Sequence, residues 1–356
     1  MDKVLLTTGG TGGHIFPALA VAEELRRRNP GARLLFVGSL HGPESRLCEA
    51  AGIPFAGLPV RGFLGRGARA LGAAARMGVA AARAVGLVRA FRPDAVAGFG
   101  GYAAFAPMLA ARLCGVPSLL HEQNAVAGTS NRLLSRLARK VCVSLPETQG
   151  FPAEKCILTG NPVRAAIADV AGRRESRRGT RRLLVLGGSQ GAHSLNTLLP
   201  GLLSRLRAAG VDIRHQCGER DLAATRAAYV QAGYAPDCVS AFIDDMGGVY
   251  AWADLALCRA GASTVAELCA AGLPSVLVPF PAAIHDHQTR NAEVVARAGA
   301  ARLVQERDFA STDMGALLEQ LLGDTATLDD MRRAALSLAC PQAAAAVADA
   351  LERVAA

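Results

Sequence analysis

Aromatic residues and paired cysteines are both scarce in this 356-residue sequence. Aromatic residues make up 4% of the chain and offer few stacking surfaces, so no nucleic-acid partner is expected. The nine cysteines show no CxxC pair and no Cys/His spacing suited to zinc, which predicts free thiols in a reducing compartment. Residues 95–111 form a long uncharged and largely apolar run, but glycines and Pro107 interrupt it, and a membrane span needs about 20 apolar residues. The composition predicts a soluble or peripheral protein.

Acidic residues are absent from residues 50–93, which instead carry seven arginines. These define a basic segment from Arg61 to Arg92, and the whole chain has a formal net charge of +9, which favours an anionic partner. Arg69, Arg76 and Arg83 recur every seven residues and so form one stripe on a predicted helix. The stripe is either the solvated edge of a packed helix or a face for anionic lipid headgroups, where each basic residue contributes about 1 kcal/mol.

Short apolar strands alternate with helical segments along most of the chain. The length exceeds that of one ordinary core, so two domains are expected. The alternation predicts an α/β fold class with two Rossmann-like domains, each built on a parallel sheet. The plan of strand, glycine loop and helix restarts at Leu183. The predicted domains are residues 1–162 and 163–340, and a helix in residues 341–356 is expected to pack back on the first.

The first glycine loop, Thr8 to His14, reads TGGTGGH and follows a predicted strand. It does not match the dinucleotide fingerprint, which would need glycine at Ile15, and it lacks the GK[ST] ending of a P-loop. Hydride transfer and nucleotide hydrolysis are therefore disfavoured. The next helix is predicted to begin near Pro17. His14 stands at its entrance, where an imidazole can take a proton from an attacking hydroxyl, although a lone histidine is more often structural.

Two more motifs follow strands of the first domain. GFGGY occupies residues 98–102, and HEQN occupies residues 121–124, after a predicted strand over residues 117–120. Open parallel sheets bind ligands beyond the carboxyl ends of their strands, so the glycine loops are expected to line one crevice with HEQN near it. The alternative is that these polar residues only make buried capping and turn bonds.

The stretch from Leu255 to Pro281 combines a strand, a turn of small residues and a helix start. Ser263 and Thr264 are possible caps, and Glu267 is predicted in the first turn as an acceptor for paired hydroxyls. The positive end of the helix dipole and the lack of bulky side chains favour a diphosphate. An ordinary strand-to-helix turn with a capping acid is the alternative.

Nine motifs, taken in order, resemble those of one enzyme family. They are TGGTGGH, GFGGY, HEQN, GNPVR, GGSQGAHSLN, FIDDM, CRAGASTVAE, GLPSVLVPFP and DHQTRNA. From Thr7 to about Ala300 the sequence resembles the MurG glycosyltransferases. The resemblance implies the GT-B architecture, with two Rossmann-like domains facing across a cleft. It also implies inverting transfer of N-acetylglucosamine (GlcNAc) from UDP-GlcNAc to the C4 hydroxyl of the muramoyl sugar of lipid I.

That reaction yields lipid II and UDP on the cytoplasmic face of the plasma membrane. It would give the protein a part in peptidoglycan synthesis, cell shape and cell division. The implied partners are UDP-GlcNAc, lipid I and, through the basic segment, an anionic membrane surface.

Site residues are carried over by their place in the motifs. Those implied to bind the donor are Thr11, Gly12, Gly13, Asn124, Arg164, Ser189, Ile243, Ala262, Ser263, Thr264, Val265, Ala266, Glu267, Gln288 and Asn291. In that resemblance Glu267 accepts from the ribose hydroxyls, Ser189 and Arg164 hold the diphosphate, and the backbone around Ile243 reads uracil. The loop from Ala262 covers the phosphates.

The remaining implied roles concern the sugars and the proton. Gln288 and Asn291 fix the GlcNAc hydroxyls, while Tyr102 and His121 line the acceptor pocket. His14 and Glu122 are the candidate catalytic residues, and the choice of general base between them stays open.

Neither a metal nor a cofactor is expected. His285 and His287 are two residues apart rather than four, and the adjacent Asp244 and Asp245 are explained by turn chemistry rather than as a DxD metal site. A helix dipole, an arginine and loop amides can meet the charge of the leaving group. Two other functions compete with the transferase: a UDP-GlcNAc epimerase with the same two-domain plan, and a non-catalytic nucleotide-sugar binder.

Overall fold

The computed structural model describes residues 1–10, 12–60, 70–173, 181–188, 191–283 and 286–356, without the side chains of residues 70–76 and 173. The strands are β1 (Lys3–Thr7), β2 (Arg33–Ser39), β3 (Phe55–Leu58), β4 (Ala95–Gly98), β5 (Ser118–Glu122), β6 (Lys140–Val143), β7 (Cys156–Leu158), β8 (Arg182–Leu186), β9 (Asp212–Gln216), β10 (Val239–Ser240), β11 (Leu255–Cys258), β12 (Ser275–Leu277) and β13 (Ala301–Leu303). The α-helices are α1 (Gly12–Arg28), α2 (Glu44–Ala50), α3 (Ala70–Phe91), α4 (Phe105–Leu113), α5 (Thr129–Leu134), α6 (Ala165–Ala168), α7 (Val170–Arg173), α8 (His193–Leu198), α9 (Leu203–Ala208), α10 (Leu222–Gln231), α11 (Met246–Trp252), α12 (Ala262–Ala271), α13 (His287–Arg297), α14 (Met314–Gly323), α15 (Thr325–Ser337) and α16 (Ala343–Ala355).

The chain folds as two compact units. Unit 1 comprises Met1–Arg164 together with Cys340–Ala356, and unit 2 comprises Ala165–Ala339. Helix α16 therefore belongs to unit 1, where Val347 and Leu351 are fully buried in the same core cluster as residues of β1 and α1. An ion pair adds to this packing, because Nη1 of Arg28 lies 2.6 Å from Oδ1 of Asp349.

A seven-stranded parallel sheet forms the centre of unit 1, in the order β3-β2-β1-β4-β5-β6-β7. Val4 and Leu6 of β1 belong to one buried cluster and Leu5 to another, on the opposite face. Both faces of the sheet are covered, which explains why β1 reads as an unbroken apolar run. The strand order reverses between β1 and β4. Loops that follow such a pair of strands diverge and leave a crevice for ligands.

Unit 2 contains a six-stranded parallel sheet in the order β10-β9-β8-β11-β12-β13. Its order reverses between β8 and β11. Strand β8 precedes the third glycine loop, which reads GGSQG from Gly187 to Gly191, and β11 precedes α12. One large cluster contains Leu183, Leu257 and Val276 from three adjacent strands, together with helix residues such as Leu318. Both units are parallel α/β folds, so the predicted fold class is confirmed.

The basic segment lies partly outside the described residues. Among its arginines, Arg61, Arg66 and Arg69 are outside, as is the side chain of Arg76. Helix α3 buries Ala80, Ala84 and Val88 at four-residue intervals, and its open face carries Arg83 and Val79, which is 51% exposed. Among the helices described, none has both the length and the hydropathy to cross a bilayer.

Two element boundaries of unit 1 differ from the sequence expectation. Helix α1 begins at Gly12 rather than near Pro17, which lies inside the helix. Ile15, Pro17 and Ala18 are buried against the sheet, so tertiary packing offsets the low helix propensity of the glycines. Strand β5 continues to Glu122 instead of ending at Leu120, so the first two residues of HEQN belong to the strand.

Candidate functional site

The first two glycine loops pack against each other at the carboxyl edge of the sheet in unit 1. The Thr8 hydroxyl donates to the carbonyl oxygen of Gly100 at 3.1 Å. Gly101 has a φ of +77°, and a Cβ there would overlap the carbonyl oxygen of Gly9. Only glycine permits this approach, because another residue would push the loops apart. The prediction that the two loops lie together is confirmed.

His14 lies in the first turn of α1 and is joined to Gln123. Its Nδ1 is 2.9 Å from Oε1 of Gln123, and its side chain is partly exposed. Gln123 is buried, and its Nε2 donates to the carbonyl oxygen of Phe99 at 3.0 Å. A neutral side chain, itself held from behind, therefore fixes the imidazole at the edge of the site.

His121 lies behind Gln123 rather than at a surface. It is fully buried, with its Nε2 3.0 Å from the carbonyl oxygen of Gly160 and its Nδ1 3.2 Å from Nε2 of Gln123. Burial lowers the pKa of His121 to about 4, so the ring is neutral near neutral pH. The structure thus places His121 in the wall behind the site, and not on the surface of an acceptor pocket, which was its expected position.

Glu122 is a buried carboxylate that organises the loop after β5. Oε1 accepts from the backbone N–H and the side-chain amide of Asn124, at 2.9 and 3.0 Å. Oε2 accepts from the amide of Asn131 at 2.8 Å and from the N–H of Gly128 at 3.2 Å. Both oxygens are committed to neutral donors of the protein. Glu122 therefore fixes the position of Asn124 and of the start of α5.

Tyr102 and Arg164 lie beside the beginning of α1. The Tyr102 ring is next to Gly10, where an added Cβ would be 3.9 Å from Cε1 of the tyrosine. The guanidinium carbon of Arg164 lies 4.3 Å from the centroid of the Phe16 ring. Gly12 and Gly13 form the first two residues of α1, while Thr11 lies outside the described residues.

Helix α12 follows β11 at the corresponding edge of unit 2. Gly261 occupies its N-cap position, and no side chain caps the helix. Ser263 and Thr264 are its second and third residues, so the prediction that one of them caps the helix is wrong. The ten-residue helix starts earlier than expected, and Ala262, Val265 and Ala266 complete its first turns. The amides of a first turn have no partners within the helix, which favours an anion.

Glu267 lies in the second turn of α12, not in the first, and is 8% exposed. Its Oε2 accepts a hydrogen bond from the Tyr250 hydroxyl at 2.9 Å. Tyr250 is buried in α11, and this bond fixes the direction of the carboxylate.

Gln288 and Asn291, both in α13, hold the turn that precedes α12. Oε1 of Gln288 accepts from the N–H of Ala260 at 3.2 Å and from the N–H of Phe280 at 2.9 Å. The Asn291 amide donates to the carbonyl oxygen of Ala260 at 3.2 Å. The two predicted sugar-binding side chains therefore also brace the backbone next to the start of α12.

Ile243 is joined to the third glycine loop through Gln216. The buried Gln216 accepts from the backbone N–H of Ile243 at 3.1 Å and donates to the carbonyl oxygen of Gly188 at 2.9 Å. One glutamine thereby couples the predicted uracil site to the predicted diphosphate loop. Ser189 lies outside the described residues.

Two aspartates of unit 2 make local hydrogen bonds at the starts of helices. Asp245 accepts from the N–H of Gly248 at 2.8 Å and caps α11, which confirms that turn chemistry explains this aspartate. Asp286 accepts from the Thr289 hydroxyl at 2.6 Å, and His285 lies outside the described residues. Within the ranges described above, no three His, Cys, Asp or Glu side chains are grouped so that they could hold a metal ion.

Four residues near these sites were not assigned a role from the sequence. Gln123 belongs to the HEQN motif, so its position was visible although its partners were not. Gln216 and Tyr250 have no local signal, because each acts on a residue more than 15 positions away. Glu44 is similar: it is fully buried and accepts from the N–H of Gly10 at 3.2 Å.

Comparisons with known proteins agree on one family. Residues 4–143 match the glycosyltransferase family 28 N-terminal domain, and residues 182–354 match the glycosyltransferase family 28 C-terminal domain. A relative from Nitratidesulfovibrio vulgaris (strain DSM 19637 / Miyazaki F) is 54% identical over 99% of this chain and 97% of its own. Its name is UDP-N-acetylglucosamine--N-acetylmuramyl-(pentapeptide) pyrophosphoryl-undecaprenol N-acetylglucosamine transferase.

Solved structures extend the comparison. The crystal structure of Acinetobacter baumannii MurG is 37% identical, covers 99% of this chain and 100% of its own, and has a TM-score of 0.75. A UDP-N-acetylglucosamine 2-epimerase matches with a TM-score of 0.62 over 97% of this chain and 94% of its own, but at 15% identity it shares only the fold. The two family domains and the near-full-length identity therefore establish that this chain belongs to glycosyltransferase family 28, among the MurG transferases.

Proposed function

We propose that this enzyme transfers GlcNAc from UDP-GlcNAc to the C4 hydroxyl of the muramoyl sugar of lipid I, with inversion, and forms lipid II and UDP. The observation that carries the proposal is the 54% identity over nearly the whole chain to a relative named for this transfer. The likeness to an epimerase is limited to the fold. A non-catalytic binder would not need a histidine held by a dedicated glutamine at the edge of a ligand site.

In this proposal His14, rather than Glu122, takes the proton from the acceptor hydroxyl. Both oxygens of Glu122 are occupied by amide donors in a buried environment, and freeing one would leave a donor unpaired. His14 is partly exposed in the first turn of α1. The carboxylate then positions Asn124, while Tyr102 lines the acceptor site next to the first glycine loop.

The departing UDP is stabilised without a metal. The first-turn amides of α12 and the guanidinium of Arg164 meet the diphosphate charge, because an oriented set of donors stabilises charge that develops on the leaving oxygen. Glu267 accepts from the ribose hydroxyls, and Ser189 completes the diphosphate site. The backbone of Ile243 reads uracil through its carbonyl, since Gln216 already occupies its N–H. Gln288 and Asn291 contact the GlcNAc hydroxyls.

The acceptor carries a lipid, and we assign the basic segment to an anionic membrane surface. Arg83 and Arg89 are exposed on α3, and Val79 is exposed beside them. Clustered cations of this kind gain about 1 kcal/mol each near anionic lipid. The protein then acts as a peripheral enzyme on the cytoplasmic face of the plasma membrane, in peptidoglycan synthesis and so in cell shape and division.

The test is transfer of radiolabelled GlcNAc from UDP-GlcNAc to a short-chain lipid I analogue, with EDTA present and UDP measured in parallel. We expect labelled disaccharide product and an equal amount of UDP. The His14→Ala variant should retain its affinity for UDP-GlcNAc and lose about 10²–10⁴-fold in turnover. UDP release without disaccharide, or conversion of UDP-GlcNAc into an epimer, would contradict the proposal, and unchanged turnover in the variant would remove His14 as the base.

A further inference from the structure

A continuous chain of hydrogen bonds runs behind His14. It begins at the carbonyl oxygen of Gly160, continues through His121 and Gln123, and ends at Nδ1 of His14. His121 and Gln123 are 0% and 2% exposed, so no water competes for these bonds. The proton positions in such a chain follow from its fixed end, because a peptide carbonyl can only accept.

The orientation of the Gln123 amide is determined by Phe99. Nε2 of Gln123 lies 3.0 Å from the carbonyl oxygen of Phe99, so this end of the amide must be the NH₂ group. Oε1 then faces His14 and can only accept, at 2.9 Å from Nδ1. Nδ1 of His14 must therefore carry the proton.

His121 strengthens this assignment from the other side. Its Nε2 lies 3.0 Å from the carbonyl oxygen of Gly160 and must donate, which leaves Nδ1 to accept from Gln123 at 3.2 Å. Both protons of the Gln123 amide are then used, one on Phe99 and one on His121. Turning the amide over would place its carbonyl oxygen against the Phe99 carbonyl and would remove the donor to Nδ1 of His121. Burial also keeps His121 neutral, since its pKa is lowered to about 4.

We infer that Gln123 is a positioning residue, which holds His14 in the tautomer with a proton on Nδ1 and thereby presents Nε2 as the nitrogen that accepts the proton of the sugar hydroxyl. This inference rests on the proposed function for its effect on turnover. In the described residues Nε2 of His14 has no hydrogen-bond partner. When Nε2 accepts the proton, the Gln123 carbonyl continues to accept from Nδ1 of the imidazolium, and no other proton moves.

The partner of the base is a neutral amide, not a carboxylate. An amide fixes the tautomer without the added basicity that a negative partner gives to an imidazole. Gln123→Glu should therefore move the acid limb of the pH dependence of kcat/KM to higher pH, by about one unit. Gln123→Met keeps a similar volume, removes every hydrogen bond of the amide and frees the tautomer.

The first measurement is NMR of the protein labelled with ¹⁵N-histidine, with His14→Ala used to assign the ring. In the parent protein we expect a protonated Nδ1 and an unprotonated Nε2 at neutral pH. In Gln123→Met we expect a mixture of tautomers and a fall of about 10–100-fold in kcat, the usual range for loss of a supporting hydrogen bond. The dissociation constant for UDP-GlcNAc should stay unchanged.

Three results would overturn the inference: a proton on Nε2 of His14 in the parent, an unchanged kcat in Gln123→Met, or a pH profile in Gln123→Glu that matches the parent. The parent spectrum needs neither a variant that folds nor turnover. If the tautomer is as inferred but no transfer occurs, the proposed function fails and the structural assignment of the proton stands. If transfer occurs with Nε2 protonated, the proposed function stands and the positioning role fails.

Discussion

Acidification should weaken unit 2 through one buried histidine, His215 of β9. Its ring is fully buried, with Nε2 3.0 Å from Oδ1 of Asn196 and Nδ1 3.0 Å from the hydroxyl of Tyr229. Burial lowers the pKa of His215 to about 3. In the unfolded chain the same imidazole has its ordinary pKa near 6.5. Between these two values the unfolded state holds a proton that the folded state does not.

The sign follows from that difference in bound protons. Where the unfolded state binds more protons, the free energy of unfolding falls as the pH falls. Near pH 7 the loss in free energy of unfolding caused by His215 is small. At pH 5, about 1.5 units below the unfolded pKa, this loss reaches about 2 kcal/mol, because each pH unit below that pKa contributes roughly 1.4 kcal/mol. The loss continues until the pH approaches the folded pKa of about 3.

The single tryptophan of the chain offers a direct assay. Trp252 lies in α11 of unit 2, with the guanidinium carbon of Arg214 4.5 Å from its ring centroid, so its fluorescence should change when this unit unfolds. Urea unfolding at pH 7 and at pH 5 gives two free energies by linear extrapolation. His215→Gln keeps a donor and an acceptor but does not titrate, and the parent should lose about 2 kcal/mol more than this variant between the two pH values.

The exposed His41 of unit 1 provides the matched control. His41→Gln should leave the pH dependence of the Trp252 transition as it is in the parent, because His41 is exposed and lies in unit 1, outside the unit that Trp252 reports on. Equal losses in the parent and in His215→Gln would refute the reasoning, since the buried ring would then not titrate differently in the two states.

Two further predictions concern the donor site and the membrane. Glu267→Ala should weaken UDP-GlcNAc binding by about 10–100-fold, which is the effect expected for loss of a hydrogen bond to a charged group. Tyr250→Phe should weaken this binding several-fold, because the Glu267 carboxylate loses the hydroxyl that orients it. Unchanged affinities by calorimetry would exclude the ribose role of Glu267. Replacing Arg83 and Arg89 by glutamine should weaken binding to phosphatidylglycerol vesicles by about 30-fold in a sedimentation assay, whereas Arg220→Gln in unit 2 should have no effect. Equal binding by all three proteins would return α3 to the alternative of a packed helix with a solvated edge.

The fold class was predictable because its signal is local and repeated. Buried strands such as β1 read as short apolar runs, and the glycine loops mark the places where the chain turns from strand to helix. Boundaries were less predictable. Helix α1 includes Gly12 and Pro17, two residues that disfavour a helix, because the packing of Ile15 against the sheet outweighs their local preference.

The candidate site was predictable in its motifs but not in its hydrogen bonds. The sequence identified His14 and the HEQN residues, yet the bond from His14 to Gln123 joins residues 109 positions apart. No local pattern reports which nitrogen of an imidazole meets an amide. The same limit applies to Glu122, whose four donors decide that it organises a loop, and to His121, whose burial removes it from the surface of the site.

The position of α16 in unit 1 also sets the order in which the chain can mature. Residues Cys340–Ala356 are synthesised after the whole of unit 2, which itself takes on the order of 10 s at cellular rates of translation. Until then, the strands that α16 contacts, β4, β5 and β6, lack the apolar cover of Val347 and Leu351. The nascent chain can therefore complete the unit that carries the proposed donor site first. A ribosome that stops early would release a chain whose exposed strand face is a target for chaperones and proteases.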